Sequence, residues 1–594
     1  MRICAAVAFS LAVCFLQAAG GNRTTPRLDK VIHAAPGDGT IAVWVFFTDK
    51  GKPPPVPPAL VSARALARRA RVLPANMLVD ESDLPVPREY IGGITPLVSR
   101  IRQVSRWLNA VSVEATPAEI EGLQALPFVR EIDIVQRYRR GSATEGAQTE
   151  AHPPALRKPA GTLALDYGPA LGQVGLENIP AVHATGNSAQ GIIIGLFDNG
   201  VRLQRHEAFD SLRPRILAQH DFVDHKESVV PDNPNSEFGG HGVNTLSTLA
   251  GYKPGQIIGP AYGASFILAR TENDSGETPF EEDNWAAAIE WAESLGVQVT
   301  STSLGYLTFD SPYTSLTWAD MNGRTSVISR AAVMAARKGV IVVNSAGNEG
   351  LPLPGQNSLI APADADSILA AGAVSPAGVR DGFSSCGPTS DGRIKPDVMA
   401  VGSSVYVASN VDTAGYFFVQ GTSFSCPLTA GVAALVLKAH PEATAMQIIN
   451  AIKKSAHKAP GQAARPDNLY GWGIIDAAAA IDSLGGHITP PPVAEAFTLS
   501  ANYPNPFNPG TRIEFQVPER SRVMLRVFDL LGRAVKTLVD GDFPATGGTP
   551  YFALWDGTDE SGRRVASGVY VYRMDAIGES GASSRQVRKM MMVR

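Results

Sequence analysis

Gly421-Thr422-Ser423-Phe424-Ser425-Cys426-Pro427, followed by the apolar run Leu428 to Leu437, decides how the rest of this chain is read. A tight Gly-Thr turn feeding an Ala/Val/Leu helix holds Ser423 at the helix N-terminal end. There the hydroxyl is expected to be exposed, in a local field that favours negative charge. A serine nucleophile belongs in that position. An ordinary N-cap before a buried helix uses the same residues, so the stretch needs partners elsewhere before it carries chemistry.

Three candidates supply them. Asp198 follows the buried strand Gly191 to Phe197, where a carboxylate can orient a histidine. His241, in Gly239-Gly240-His241-Gly242, leads a helix-like run through Leu249 that Gly251 ends. Asn348 closes Asn344-Ser345-Ala346-Gly347-Asn348 after the strand Val340 to Val343, and its amide could aim at an oxyanion. Taken singly, they read as a turn residue, a neighbour of a helix cap and a loop residue. Taken together, they form a chemical set. A hydroxyl is a weak nucleophile near neutral pH and needs a base such as imidazole. The imidazole needs an acceptor on its other nitrogen, and a tetrahedral intermediate needs preorganised donors.

The surrounding pattern gives these residues a frame. From Leu165 to about Leu484, short apolar strands alternate with helices, which predicts an α/β domain with a parallel sheet and helices on both faces. Phe266 to Ala269, Val297 to Val299 and Ile368 to Val374 read as further strands, and Asn284 to Leu295 and Ser326 to Lys338 as helices. In open α/β sheets chemistry collects beyond the carboxyl ends of strands, and Asp198 and Asn348 both fall there.

Asp198, His241 and Ser423, in that chain order, resemble the subtilisin-type serine peptidases. Gly-Gly-His-Gly at 239–242, Ser-Ala-Gly-Asn at 345–348 and Gly-Thr-Ser-Phe-Ser-Cys-Pro at 421–427 match that family's His, Asn and Ser motifs. Phe383 to Pro388 and Gly392 to Val398 match its signature before the serine. The likeness covers roughly residues 165 to 484. It implies that Ser423 is the nucleophile, His241 the general base and then acid, and Asp198 the orienting carboxylate. Asn348 and the Ser423 backbone N–H would form the oxyanion hole. Ser303-Leu304-Gly305 would pair with the substrate backbone by strand addition, and Ala346 and Gly347 would line the pocket before the scissile bond. The chain departs from the family at Asn199, where Thr or Ser is usual, at Phe424 in place of Met, and at Gly242-Val243 in place of Gly-Thr. None of these removes a reacting group.

The flanks fit an exported zymogen. Residues 1–20 pair Arg2 with the apolar Ile3 to Leu16 and a small-residue stretch, as a signal peptide does; no other stretch is long and apolar enough to cross a bilayer. Residues 21–138 read as a small α+β domain that resembles the family's inhibitory propeptide. In it Val61 to Val72 suits a basic helix and Trp107 to Val113 a strand. Residues 139–164 are a polar Pro/Gly/Ala-rich linker suited to maturation cleavage, and 485–496 a Pro-rich linker. Residues 497–594 alternate as an all-β sandwich. Asn502 to Pro509, Phe528 to Arg533, Trp555-Asp556-Gly557 and Ala566 to Tyr572 resemble the C-terminal sorting domain of type IX secretion, with its immunoglobulin-like fold. That likeness implies the type IX secretion machinery as a partner and a place outside the cell.

Composition narrows the alternatives. The 594 residues are 44% apolar and 18% charged with a net charge of -4, so no bulk attraction to nucleic acid is expected. The basic run at 61–72 is short and lacks the aromatic platform of a nucleic-acid surface. Of four cysteines, Cys4 and Cys14 fall in the leader, which leaves Cys386 and Cys426; sequence alone does not decide whether these two form a bridge. His206-Glu207 lacks the second histidine of a His-Glu-x-x-His metallopeptidase. The chemistry requires no cofactor. The resemblance allows structural calcium, although neither Asp232 nor Glu281-Glu282-Asp283 has a diagnostic ligand spacing. The expected partners are protein or peptide substrates and the chain's own propeptide. The rival function is a catalytically silent surface or binding protein of the same fold.

Overall fold

The computed structural model describes residues 22–34, 39–51, 60–135, 165–203, 206–232, 239–272, 281–307, 315–485, 496–508, 510–543 and 551–593. The expected signal peptide, the 139–164 linker and the core of the Pro-rich linker lie outside them. The chain divides into two compact units, one of Met1–Leu60, Val79–Arg137 and Phe309–Ser315, the other of Val61–Leu78, Tyr138–Thr308 and Leu316–Arg594.

The first unit is built on an antiparallel sheet of β1 (Ile41–Phe47), β2 (Arg100–Ser105), β3 (Ala110–Ala115) and β4 (Val129–Ile134), in the order β2-β3-β1-β4. β1 lies inside the sheet and is buried at every position. Helices α1 (Pro26–Ala34), α3 (Arg88–Ile94) and α4 (Pro117–Gln124) complete the unit. Thr116 and Glu119 cap α4 reciprocally, each side chain taking the other's backbone N–H. The strand expected from Trp107 begins only at Ala110, because Asn109 turns the chain with φ +50. Helix α2 (Ala63–Arg69), shorter than the expected Val61 to Val72, belongs to the second unit.

The second unit contains a fully parallel seven-stranded sheet. Its strands are β5 (Ile193–Asp198), β6 (Ile216–Asp221), β9 (Ser265–Arg270), β10 (Val299–Thr302), β11 (Ile341–Ser345), β12 (Leu369–Val374) and β13 (Val398–Val401), in the order β13-β12-β11-β10-β5-β9-β6. Two hairpins, β7–β8 (Tyr252–Lys253 and Ile257–Ile258) and β14–β15 (Val405–Ala408 and Tyr416–Val419), stand beside it. Short helices α5 (Leu171–Val174) and α6 (Ile179–His183) precede the sheet. Then follow α7 (Gly240–Ala250), α8 (Glu282–Leu295), α9 (Val327–Arg337), α10 (Thr422–Ala439), α11 (Ala445–Ser455) and α12 (Ala477–Ser483). Against the expectation, α10 is long and apolar enough to cross a bilayer, but it is buried from Thr422 through Leu437, packing on β10, β11, β12 and α7 as a core helix does. α8 and α9 pack together, against β5 and β11. β6 is half polar (Ile-Leu-Ala-Gln-His-Asp), as suits a strand at a sheet edge.

The C-terminal region is all-β, in two antiparallel sheets. One orders β16 (Thr498–Leu499), β17 (Thr511–Gln516) and β20 (Tyr551–Trp555); the other runs β19-β18-β21-β22, from Ala534–Phe543, Ser521–Phe528, Gly568–Gly578 and Ser583–Met592. Period-two burial along β17 and β18 turns Ile513, Phe515, Val523, Leu525 and Val527 into one core with Trp555 and Tyr572.

Candidate active site

Strand order reverses between β5 and β10. The chain passes from β5 to the edge strand β6, fills the gap between them with β9, then crosses to lay down β10 through β13 on the other side. Such a switch point opens a crevice at the strands' carboxyl ends, where Asp198 ends β5 and Ser303 follows β10.

Asp198 is 1% exposed and all but enclosed by donors. Its Oδ1 accepts from His241 Nδ1 at 2.7 Å and from the Asn199 N–H at 2.8 Å. Its Oδ2 accepts from Thr245 Oγ1 at 2.8 Å. With Nδ1 donating, Nε2 is the acceptor nitrogen of the neutral ring. His241 sits in the first turn of α7, whose N-terminus abuts the end of β5. The Asn199 side-chain oxygen accepts the Gly242 N–H at 2.9 Å, satisfying one of the orphan donors of that turn. The approach is close enough that a Cβ on Gly242 would stand 2.1 Å from Gly200 O. This explains why glycine follows the histidine, and what Asn199 does in place of the usual hydroxyl residue.

Ser423 is the second residue of α10. The hydroxyl expected to be exposed is instead buried, 2% exposed, because it faces the chain leaving β10. Ser423 Oγ donates to Ser303 O at 3.2 Å, and Ser303 Oγ donates back to Ser423 O at 2.7 Å. The short second bond pins the helix start to the β10 strand end. Phe424 packs beside the base, its ring centroid 6.2 Å from that of His241.

Asn348 lies half-buried beyond β11. Its Oδ1 accepts from both the N–H and the hydroxyl of Thr422, each at 2.9 Å, and Thr422 Oγ1 accepts the Gly347 N–H at 3.3 Å. The amide oxygen is therefore committed to the residue before Ser423, and the NH2 group is turned the other way. After β10 the chain is held by its neighbours: Leu304 O accepts from Asn344 Nδ2 at 2.9 Å, and Tyr306 exchanges two backbone bonds with Ala361. Ala346 O accepts from Ile360 N at 3.3 Å, and Gly347 O from Ser385 N at 2.9 Å. The Ile360-Ala361 segment thus braces both Ala346 and Tyr306. A Cβ on Gly305 would meet Ile360 Cδ1 at 2.3 Å.

The sequence reading missed Thr245 and Thr422. Thr245 could have been found from its spacing, four residues after His241 on one helix face. Nothing local in Gly421-Thr422-Ser423 marks Thr422 as the anchor of Asn348. Cys386 and Cys426 are both free and buried, so they form no bridge. Cys426 lies with Sγ 3.3 Å from Thr302 O, and burial pushes its thiol up to about 12. Asp232 pairs with Lys226 at 2.6 Å, and Glu282 accepts from Ser326 Oγ at 2.8 Å. Among the described residues no group of three or more His, Cys, Asp or Glu is arranged to hold a metal ion.

Comparison with known proteins agrees with this architecture. Residues 189–473 match the model of the Subtilase family, and residues 42–151 that of the Peptidase S8 propeptide domain, Bacteroidota. Subtilisin DY of Bacillus licheniformis is 28% identical over 300 residues, 50% of this chain and 94% of its own length. Subtilisin Savinase of Lederbergia lenta is 28% identical over 303 residues, 51% of this chain and 94% of its own length. Subtilisin E of Bacillus subtilis (strain 168) is 28% identical over 306 residues, 51% of this chain and 68% of its own length. The chain thus carries a subtilase domain behind a subtilase propeptide domain, and it is a subtilisin-like serine peptidase.

Proposed function

We propose that this chain is an exported serine endopeptidase, made as a zymogen, in which Ser423 is the nucleophile. The Asp198–His241 bond at 2.7 Å carries the reading, because it fixes the imidazole tautomer that a serine nucleophile requires. His241 Nε2 takes the Ser423 hydroxyl proton as Oγ attacks the scissile carbonyl of a peptide held against Ser303, Leu304 and Gly305. The oxyanion is met by the Asn348 NH2 and the Ser423 N–H at the start of α10, while Ala346 and Gly347 line the pocket for the preceding side chain. His241 then gives its proton to the leaving amine, which departs and leaves an acyl group on Oγ. Water, losing a proton to His241, attacks that ester, and the returned proton restores Ser423 as the carboxylic acid leaves.

The propeptide match supports an intramolecular inhibitor. On this reading it is severed by the enzyme itself within 139–164, and residues 497–594 direct passage through the outer membrane by type IX secretion. Labelling with a serine-directed fluorophosphonate tests the core of the proposal: the wild-type chain is modified at Ser423 and Ser423→Ala is not. Equal labelling of the two would leave the serine without its role. Export is tested separately, since deletion of 497–594 is expected to trap active enzyme in the periplasm.

A further inference from the structure

Thr245 follows His241 by four residues on α7 and is 0% exposed. Its hydroxyl lies 2.8 Å from Asp198 Oδ2 and 3.3 Å from Gly242 O, so the carboxylate is its closer and stronger acceptor. Residues four apart share a helix face. One helix therefore grips one carboxylate twice, with the imidazole on Oδ1 and the hydroxyl on Oδ2. Asn199, next to the aspartate, has no hydroxyl to offer, and its amide oxygen is engaged by Gly242 N–H.

We propose that Thr245 is a positioning residue for peptide hydrolysis, holding Asp198 in the plane that serves His241. The inference rests on the reading of Asp198, His241 and Ser423 as the reacting set. Thr245 touches no substrate. A carboxylate held at one oxygen alone can swing about its Cβ–Cγ bond and carry the imidazole out of line. Held at both, it cannot, and the imidazolium that forms during the reaction meets a fixed charge. Cys426 on α10 also lies within electrostatic reach of Asp198, but burial pushes its thiol up to about 12 and it stays neutral through the working range.

The test uses the full chain with a chromogenic peptide anilide, measuring kcat, KM, the acid limb of kcat/KM and the melting temperature. Thr245→Val is expected to lower kcat about ten- to a hundredfold, as loss of a hydrogen bond to a charged group would. KM and melting temperature should stay near wild type, the acid limb should move to lower pH because a misaligned carboxylate stabilises the imidazolium less, and Thr245→Ser should restore both kcat and the limb. Thr245→Ala, which removes the hydroxyl without adding volume, gives the same readout if the valine variant does not fold. The proposal is overturned if the hydroxyl-free variants keep wild-type kcat and pH profile. It is equally overturned if Thr245→Ser fails to rescue and every variant loses thermal stability in step with activity. Ser423→Ala, run in parallel, separates the two layers. If it still hydrolyses the anilide and takes the fluorophosphonate, the reacting set is wrong and Thr245 falls with it. If it is silent while Thr245→Val is unimpaired, Thr245 alone is wrong.

Discussion

Arg69 and Glu293 form a two-pronged ion pair in which neither side chain is exposed: Nε meets Oε1 at 2.8 Å and Nη2 meets Oε2 at 2.7 Å. Arg68 joins it, bonding the same carboxylate and the backbone oxygens of Val297 and, at 3.1 Å, Lys338. Both arginines stand on α2, inside the span matched by the propeptide model, yet Val61–Leu78 folds as part of the peptidase's own compact unit. Glu293 lies in the last turn of α8, where the exposed carbonyls favour a cation. Gly296, which ends that helix, leaves the room: a Cβ there would stand 2.6 Å from Arg64 Cβ.

Removing one partner of a buried ion pair typically destabilises by about 3–5 kcal/mol, because a charge is left without compensation. Glu293→Gln should therefore loosen the 61–78 segment selectively. Limited trypsin digestion of the full chain, followed by mass spectrometry, reads this at Arg68, Arg69 and Arg71. Cleavage there is expected to accelerate by at least about tenfold while sites elsewhere are cut as before. Equal rates in the two proteins would show that the ion pair does not hold the segment down.

Asn348 gives a kinetic prediction. Its oxygen is bound by Thr422 and its NH2 is thereby aimed away from that residue. Loss of the corresponding side-chain donor in a subtilisin lowers kcat about 10²–10³-fold, and Asn348→Ala is expected to do the same with KM little changed. Thr422→Val should give a smaller loss, since one backbone donor to Oδ1 remains. A kcat within about threefold of wild type in Asn348→Ala would remove it from the oxyanion hole.

Much of this was legible locally. Asp198 was placed by a strand end and His241 by a helix start, and both are governed by short stretches of chain. The parallel sheet followed from alternation of apolar strands with helices. What escaped depends on residues far apart in sequence. Val61 to Val72 read as a basic helix, and nothing local shows that Arg68 and Arg69 are buried, because the carboxylate that compensates them lies 225 and 224 positions later, respectively. The burial of Ser423 depends on Ser303, 120 positions before it. β6 carries too little apolar alternation to declare itself, since it is a strand at the sheet edge.

The two thiols give a chemical prediction. Thiolates react and thiols do not, and burial holds the Cys426 thiol up at about 12. Iodoacetamide at pH 8 should leave Cys426 and Cys386 unmodified in the folded chain and alkylate both after unfolding in urea, without any reductant. A need for reductant would mean a bridge. Rapid labelling of folded Cys426 would mean that the start of α10 opens far more readily than its packing implies.

Glu177 makes stability depend on pH. The residue is 0% exposed, its Oε1 accepts the Val401 N–H at 2.8 Å, and Oε2 has no hydrogen-bond partner among the described residues. Burial raises its carboxyl to about 8, opposed in part by the Val401 bond. The raised value means that between about 4.5 and about 8 the folded chain holds a proton that the unfolded chain has lost. Stability from this group is therefore fully present below about 4.5 and falls as pH rises through that window, by about 1.4 kcal/mol for each unit that separates the two values. Above about 8 the carboxylate is ionised in both states and the loss is complete. Glu177→Gln has the same shape and does not titrate. Its melting temperature relative to wild type should therefore climb from pH 5 to about pH 8 and level off above it, while a pH-independent difference would show that Glu177 ionises in the folded chain as easily as in the unfolded one.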